Sequence, residues 1–468
     1  MTDITKLCDR AYYVFDFRVL EKRVAYLRAL LGTKADIAYA IKANPFLVEG
    51  LRDQVERLEI CSPGESEICD GLGIDPEMTV ISGVNKTPAF IEKLVKNTDG
   101  RIYTVESLTQ FELLAALAEK YGKRLKVLLR LTNDSQFGIN EEDIEHIIEN
   151  RERYPWLDFR GLQFFSGTQK TSLKKLKREL VHLDELLLRL EEQYGYRSPE
   201  LEYGTGFPVA YFGEDLEEEA LITGFRQLLE EMRWQGHITL ELGRSIAASC
   251  GSYFTHVADK KRNHGQNYLI LDGGMHQMIY FGQYMGMKQP KVALCGKEDR
   301  QPTDQWNLFG SLCSMNDILV KALPLPEVEI GDTLRFYNTG AYCVTEGMAL
   351  FLSRDLPAVY LIDLEGNLIC ARKTMETFPL NTPNKELGKE TNHMNELLEI
   401  LNDIQPGVDF ENETHLIDNH LLDSLSIISL VAELEDTFDV TIPAVEIIPD
   451  NFNSAEAMME MIQRLQED

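Results

Sequence analysis

The chain has 468 residues, is 44% hydrophobic and 26% charged, and carries a formal net charge of −29. That composition is ordinary for a soluble globular protein of two to four domains. No run of about 18 apolar residues is present to cross a membrane, and the acidity argues against nucleic-acid binding. The start, Met-Thr-Asp-Ile-Thr-Lys, lacks an apolar signal core, so a cytoplasmic protein is expected. The eight cysteines are scattered with no Cys-x-x-Cys pair, and the nine histidines are equally dispersed. Neither a disulfide framework nor a metal site is indicated.

The charge is uneven. Residues 392–468 hold 18 acidic residues and one basic residue, Arg464, so −17 of the −29 lies in about a sixth of the chain. That asymmetry marks a separate acidic module.

In chain order, Tyr12 to Phe15 reads as a strand. The run Ala38-Tyr39-Ala40-Ile41-Lys42 follows, an apolar strand that ends on a lysine and breaks at Asn44-Pro45. Two readings are open for Lys42: a surface lysine at a strand end, or an amine placed for imine chemistry, which a depressed pKa would favour. Further β-prone runs cover 58–62, 79–83, 102–106, 126–131, 161–166, 200–204 and 238–242, counting eight with residues 37–42. Segments of helical periodicity, such as Leu108 to Ala118 and Leu173 to Leu190, lie between most of them. Eight alternating units in about 230 residues predict a closed (β/α)8 barrel.

Such barrels build their sites from the carboxyl ends of their strands. Falling there are Lys42, Glu59 with Ser62, Asn85, Arg130, Gly167 with Thr168, Gly204 to Gly206, and Glu241 to Arg244. An amine, carboxylates, an arginine and a glycine turn together suit an anionic cofactor and a nucleophilic lysine. Gly204-Thr205-Gly206 offers converging N–H groups for a phosphate, although a short glycine turn often only turns the chain. Glu241 and Arg244 could equally form a local ion pair.

From about Ser245 the pattern changes to strands without regular helices: Tyr268 to Asp272, Thr333 to Tyr337 and Val359 to Asp363. This predicts a β-rich second domain, joined by residues 1–16. Two turns within it, Gly310 to Asp317 and Gly340 to Cys343, present a thiol, a carboxylate and a phenol. Residues 373–391 are polar with two prolines and read as a flexible linker spanning roughly 25 Å. The predicted domains are thus the barrel (17–245), the β-rich domain (1–16 and 246–372), the linker (373–391) and the acidic module (392–468).

In the module, Met394 to Leu401 and Ile427 to Phe438 have helical periodicity. Asp423 and Ser424 stand where an N-cap belongs, which would make them an ordinary cap in a small helical bundle.

In this order the motifs resemble the fold-type III pyridoxal-phosphate decarboxylases, the family of diaminopimelate and ornithine decarboxylases, over roughly residues 10–372. The resemblance implies pyridoxal 5′-phosphate as cofactor. It implies that Lys42, in Tyr39-Ala40-Ile41-Lys42-Ala43-Asn44, forms the imine link to it. Gly204, Gly206, Arg244 and Tyr342 would hold the phosphate, and Glu59, Arg130 and Thr168 would complete the cofactor site. Glu241 would pair with the pyridine nitrogen and favour decarboxylation over racemisation. Cys313 would enter the partner subunit's site in a homodimer and reprotonate the product, with Asp317 supporting its turn.

Departures accompany the match. Phe165 stands where the family stacks a histidine on the cofactor. Ser314 replaces an acid that binds a distal amine. Tyr280-Phe281-Gly-Gln-Tyr284 replaces the arginine motif that binds a distal carboxylate. These departures imply a different substrate from diaminopimelate or ornithine.

The acidic module resembles an acyl or peptidyl carrier protein in its Asp423-Ser424-Leu425 motif, its acidic helix around Glu433 to Asp436, and the segment Phe438 to Pro443. Ser424 would then receive 4′-phosphopantetheine, and the acidic helix would dock basic partner enzymes. The resemblance implies a phosphopantetheinyl transferase and an amino-acid-loading ligase or other pathway enzymes as partners. The expected activity is decarboxylation of an α-amino acid tethered to a carrier as a thioester. A decarboxylase of a free small amino acid whose product is loaded on the carrier, a non-catalytic cofactor-binding scaffold and a racemase are the alternatives.

Overall fold

A computed structural model describes residues 3–383, 385–410, 412–438 and 440–467, apart from the side chains of 385–392, 425 and 467. The chain divides into two compact units, residues 1–380 and 381–468.

In the first unit, strand β1 (Tyr12–Asp16) leads through helix Phe17–Leu31 into eight parallel strands that close on themselves. These are β2 (Asp36–Ala40), β3 (Arg57–Ile60), β4 (Thr79–Ile81), β5 (Ile102–Val105), β6 (Leu125–Arg130), β7 (Leu157–Phe165), β8 (Glu200–Gly204) and β9 (His237–Leu242), with β9 pairing back to β2. The connecting helices start and stop where the sequence punctuates them. Ser107 and Ser172 accept hydrogen bonds from Gln110 N and Lys175 N at their N-termini, and Gly122 and Gly195 end the same helices with left-handed backbone.

The other strands are β10 (Gly251–Asn263), β11 (Gln266–Leu271), β12 (Val292–Leu294), β13 (Asp304–Phe309), β14 (Ile318–Leu325), β15 (Thr333–Tyr337), β16 (Ala358–Ile362) and β17 (Leu368–Arg372). With β1 they form one nine-stranded sheet. Its main path runs β14-β13-β11-β10-β1-β16-β17, and β15 pairs with β10 and β12. The expected placement of the first strand outside the barrel holds, since β1 sits between β10 and β16.

The second unit packs helices Lys385–Ile404, Ser424–Phe438 and Ala455–Glu467 around a core that includes Leu401, Phe410, Leu430, Leu434, Phe452 and Ile462. The expected flexible coil over 373–391 is corrected. Residues Phe378–Asn381 are helical, and the helix predicted from Met394 already begins at Lys385. Between Pro383 and Pro406 the sequence is free of proline and rich in Lys, Glu and Leu, so nothing stops that helix from extending backwards. Among the described residues no helix is long and apolar enough to cross a membrane.

Candidate active site

Lys42 lies one step beyond where the sequence pattern put it. Strand β2 ends at Ala40, and Ile41–Ala43 form a 3₁₀ turn that Asn44 terminates, its side chain accepting from Phe46 N at 3.0 Å. Asn44 also donates to Gly340 O at 2.8 Å, so it ties the lysine turn to the β-rich domain.

Lys42 Nζ donates to Glu59 Oε2 at 2.9 Å and stands 3.5 Å from Cys61 Sγ. The expected depressed pKa is not found. Desolvation pulls the ammonium down, but the neighbouring carboxylates, Glu59 foremost, outweigh it and hold the group above the usual lysine range. Its side chain is 43% exposed, into the mouth of a cavity, whereas Glu59 is buried at 1%. For Glu59, burial pushes the carboxyl up, but Lys42 and Arg130 bring it below its usual value.

Nine of the predicted residues line this one cavity: Lys42, Glu59, Arg130, Phe165, Thr168, Gly206, Glu241, Arg244 and Tyr342. They come from six different strand ends plus the Gly340–Cys343 turn. The local ion pair considered for Glu241 and Arg244 is not what holds them. Glu241 accepts from Gln163 Nε2 at 2.6 Å, and burial together with the Glu59 charge raises its carboxyl pKa. Arg244 donates to Tyr211 Oη at 3.0 Å and lies over the rings of Tyr342, Phe281 and Tyr211 at 4.5, 4.7 and 5.7 Å. Tyr342 takes a left-handed backbone (φ 66°), with its N–H donating to Ala43 O at 2.6 Å. A non-glycine residue holds such a conformation only where its surroundings impose it.

Three expectations, for Gly204, Ser62 and Asn85, need correction. Gly204 does not line the cavity. A Cβ there would come within 2.3 Å of the Phe165 ring, so this glycine makes room for Phe165. Ser62 caps the helix Pro63–Gly71 by accepting from Glu65 N, because a serine before Pro at the first helical position is spent on the helix end. Asn85 is exposed and outside the lining. Cys313 is exposed on its turn in the β-rich domain and is not among the cavity residues. Buried Asp317 accepts from Met275 N and Leu312 N at 2.8 Å each, which fixes that turn.

The cavity suits a phosphorylated cofactor. Gly206 has φ 60°, and a Cβ there would stand 2.1 Å from Gly167 O, so only glycine lets the two turns meet. Thr168 and Arg244 flank that junction, the Arg244 Nε lying 3.4 Å from Thr168 Oγ1. Arg130 Nε is buried without a hydrogen-bond partner among the described residues.

Sequence reasoning missed the residues behind the cavity. Gln163 and Glu202 lie between apolar neighbours in Leu162-Gln163-Phe164 and Leu201-Glu202-Tyr203, which is the signal that marks them. Lys86 is a second buried lysine, its pKa lowered to about 8 by burial, with Nζ 3.5 Å from Glu106, which in turn accepts from Arg130 at 2.8 Å.

In the second unit, Ser424 is the first residue of its helix and Asp423 is the cap, accepting from Ser426 N at 2.8 Å. The pairing of cap and serine predicted at this helix start is therefore split between the two residues.

Comparison with known proteins follows the same division. The family described as pyridoxal-dependent decarboxylase, C-terminal sheet domain, matches residues 12–340, and phosphopantetheine attachment site matches 394–462. The chain is 25% identical to an L-glutamyl-[BtrI acyl-carrier protein] decarboxylase of Niallia circulans, over 76% of this chain and 90% of that protein. It is 27% identical to a diaminopimelate decarboxylase of Zymomonas mobilis, over 78% and 90%. The crystal structure of diaminopimelate decarboxylase from Helicobacter pylori superposes with a TM-score of 0.70, covering 80% of this chain and 96% of that one at 21% identity, and so shares the fold. Barrel, β-rich sheet and lysine-bearing cavity on one side, and a serine-headed helix on the other, thus have one reading: the chain belongs to the pyridoxal-dependent amino-acid decarboxylases, fused to a phosphopantetheine attachment domain.

Proposed function

We propose that the barrel decarboxylates an α-amino acid held as a thioester on a phosphopantetheine arm. The observation that carries this is the presence in one chain of the Lys42 cavity and a phosphopantetheine attachment domain at residues 394–462, in which Ser424 is the residue we assign. Two features support it. The Niallia circulans relative acts on a glutamyl group on an acyl-carrier protein. The residues that would grip a distal amine or carboxylate in the family are Ser314 and the Tyr280 segment here, and Tyr280 is buried with its hydroxyl donating to Tyr337 O.

Pyridoxal phosphate, when bound, supplies the sink for the electron pair left as CO₂ departs. Lys42 presents the amine that anchors it. The N–H groups at Gly206, the guanidinium of Arg244 and the hydroxyls of Thr168 and Tyr342 hold the phosphate. Phe165 would offer the cofactor ring an aromatic face, and Arg130 and Glu59 would help to hold it in the cavity they line. Glu241 holds a proton at the ring nitrogen, which deepens the sink. Cys313, exposed on the Asp317-braced turn, reaches the site of a second copy and delivers the proton to Cα. The active form is therefore a homodimer. The attachment domain requires a phosphopantetheinyl transferase, and a ligase or another pathway enzyme loads the amino acid.

Mass spectrometry of the holo-protein tests the proposal. The chain is converted at Ser424 with candidate aminoacyl groups, glutamyl first, and incubated with cofactor. Loss of the mass of CO₂ from the arm is the expected result. Turnover of free amino acid with an unchanged arm would overturn it.

A further inference from the structure

Behind Glu241 stands a second carboxyl group whose one cationic neighbour is shared with another carboxylate. Glu202 is fully buried on β8, where it pairs across the sheet with Gln163 on β7 and Thr239 on β9, two residues before the position that pairs with Glu241. The nearest cation, Arg57 on β3, is already committed. Both of its terminal nitrogens engage Glu200, one of them at 3.0 Å, and Glu200 also accepts from Thr239 Oγ1 at 3.0 Å. Arg57 reaches Glu202 Oε2 only at 3.3 Å. Glu202 Oε1 has no donor among the described residues, and neither has the nearby Gln163 Oε1; the Gln163 amide N–H goes to Glu241. Buried, ionised and half-satisfied is the costliest state for a carboxylate.

We propose that Glu202 is a positioning residue that stands as a neutral carboxylic acid and donates its hydroxyl to Glu241. One proton removes the uncompensated charge and turns the orphan oxygen from an acceptor lacking a donor into a donor. Burial and the Glu241 charge both raise the Glu202 pKa, in keeping with this assignment, and the Glu202 hydrogen bond acts in the opposite direction on Glu241. Among the other groups facing the pair, Glu59 raises Glu241 while Lys42 and Arg130 lower it, and Arg57 and Glu200 act on Glu202 with opposite signs. The arrangement keeps Glu241 ionised deep in the barrel and so able to hold a proton at the cofactor nitrogen. A carboxylic acid kept neutral by its site so that it can donate is a known device of buried active sites.

The inference rests on Glu241 facing the cofactor ring, but one arm of its test does not. In the full-length chain, with and without cofactor, the infrared difference between wild type and Glu202→Gln at neutral pH should show one protonated-carboxyl band that only the wild type carries. Absence of that band overturns the proposal, whatever the role of Glu241. In the loaded chain, Glu202→Gln retains a donor and should keep the pH midpoint of the bound cofactor's absorbance. Glu202→Met retains the bulk without a donor, leaves the Glu241 anion unsupported and should move that midpoint up by about one unit, a tenfold change in proton affinity. If Glu202→Met and wild type share one midpoint, Glu202 does not act through Glu241.

Discussion

Lys42 and Glu59 form an ion pair of 2.9 Å in which one partner is open to the cavity and the other is sealed in the barrel. The carboxylate is thus fixed and the amine is the mobile half. Glu59 places the nitrogen at the mouth of the cavity in its charged form, and the amine becomes nucleophilic only when a ligand or a proton transfer breaks that pairing. This reverses the simple expectation that a catalytic lysine is activated by burial alone.

The pair sets a pH window for stability. Glu59 has a lowered pKa, so its contribution is present above its usual 4.5 and is lost as pH falls through the lower folded value. Lys42 has a raised pKa, so its contribution is present below its usual 10.5 and is lost as pH rises through the higher folded value. In the cofactor-free chain Glu59→Gln should therefore cost about 1–2 kcal/mol between about pH 5 and 10, less than a fully buried pair because Lys42 is 43% exposed. The gap between variant and wild type should close below pH 4.5. Chemical denaturation at a series of pH values measures it, and a gap that widens in acid would contradict the pairing.

The two glycines of the Gly204-Thr205-Gly206 turn should behave differently. Gly206→Ala forces a Cβ to 2.1 Å from the Gly167 carbonyl at a backbone of φ 60°. It should raise the cofactor Kd at least about tenfold, since strain of about 1–3 kcal/mol falls on the phosphate junction. Gly204→Ala meets the Phe165 ring, a side chain, at 2.3 Å. It should displace that ring, altering the absorbance of the bound cofactor more than its affinity. Equilibrium dialysis and absorbance spectra separate the two.

This contrast also marks how far the sequence could be read. The barrel was legible because eight apolar runs alternate with amphipathic helices, and eight of the residues at their ends do meet in one cavity. The two glycines looked alike because a glycine turn does not reveal which residue faces a ligand and which a neighbouring ring. Ser62 was misplaced because a helix cap and a strand-end ligand share the same short polar side chain. Gln163 and Glu202 were passed over because a polar letter in a strand does not reveal which way it faces, and its meaning depends on strands 40 to 80 residues away that only the closed barrel brings alongside. The early start of the helix at Lys385 was missed because two prolines just upstream suggested coil for the whole stretch.

Ser424→Ala should abolish the mass gain that a phosphopantetheinyl transferase and coenzyme A give the wild-type chain. Because residues 1–380 and 381–468 are separate compact units, the unfolding of the barrel should stay within about 0.5 kcal/mol of wild type. Asp423→Ala provides the control, since it removes the cap on Ser426 N at a cost of about 1 kcal/mol to the small bundle while leaving the serine in place. A modified Ser424→Ala chain would place the attachment elsewhere.

Cys313 lies outside the cavity of its own chain, and its assignment stands on a second copy supplying it. Lys42→Ala and Cys313→Ala should each be inactive toward the tethered substrate when pure. Lys42→Ala should in addition lose the absorbance of the lysine-bound cofactor, whereas Cys313→Ala should keep it. Mixed and allowed to exchange, the two variants should recover about a quarter of wild-type activity, because random pairing makes half the dimers hybrid and each hybrid has one intact site. Recovery requires that the thiol cross from one subunit to the other. If the mixture stays as inactive as its parts while hybrid dimers form, Cys313 serves its own chain or none, and the proton donor must be sought among the groups already lining the cavity.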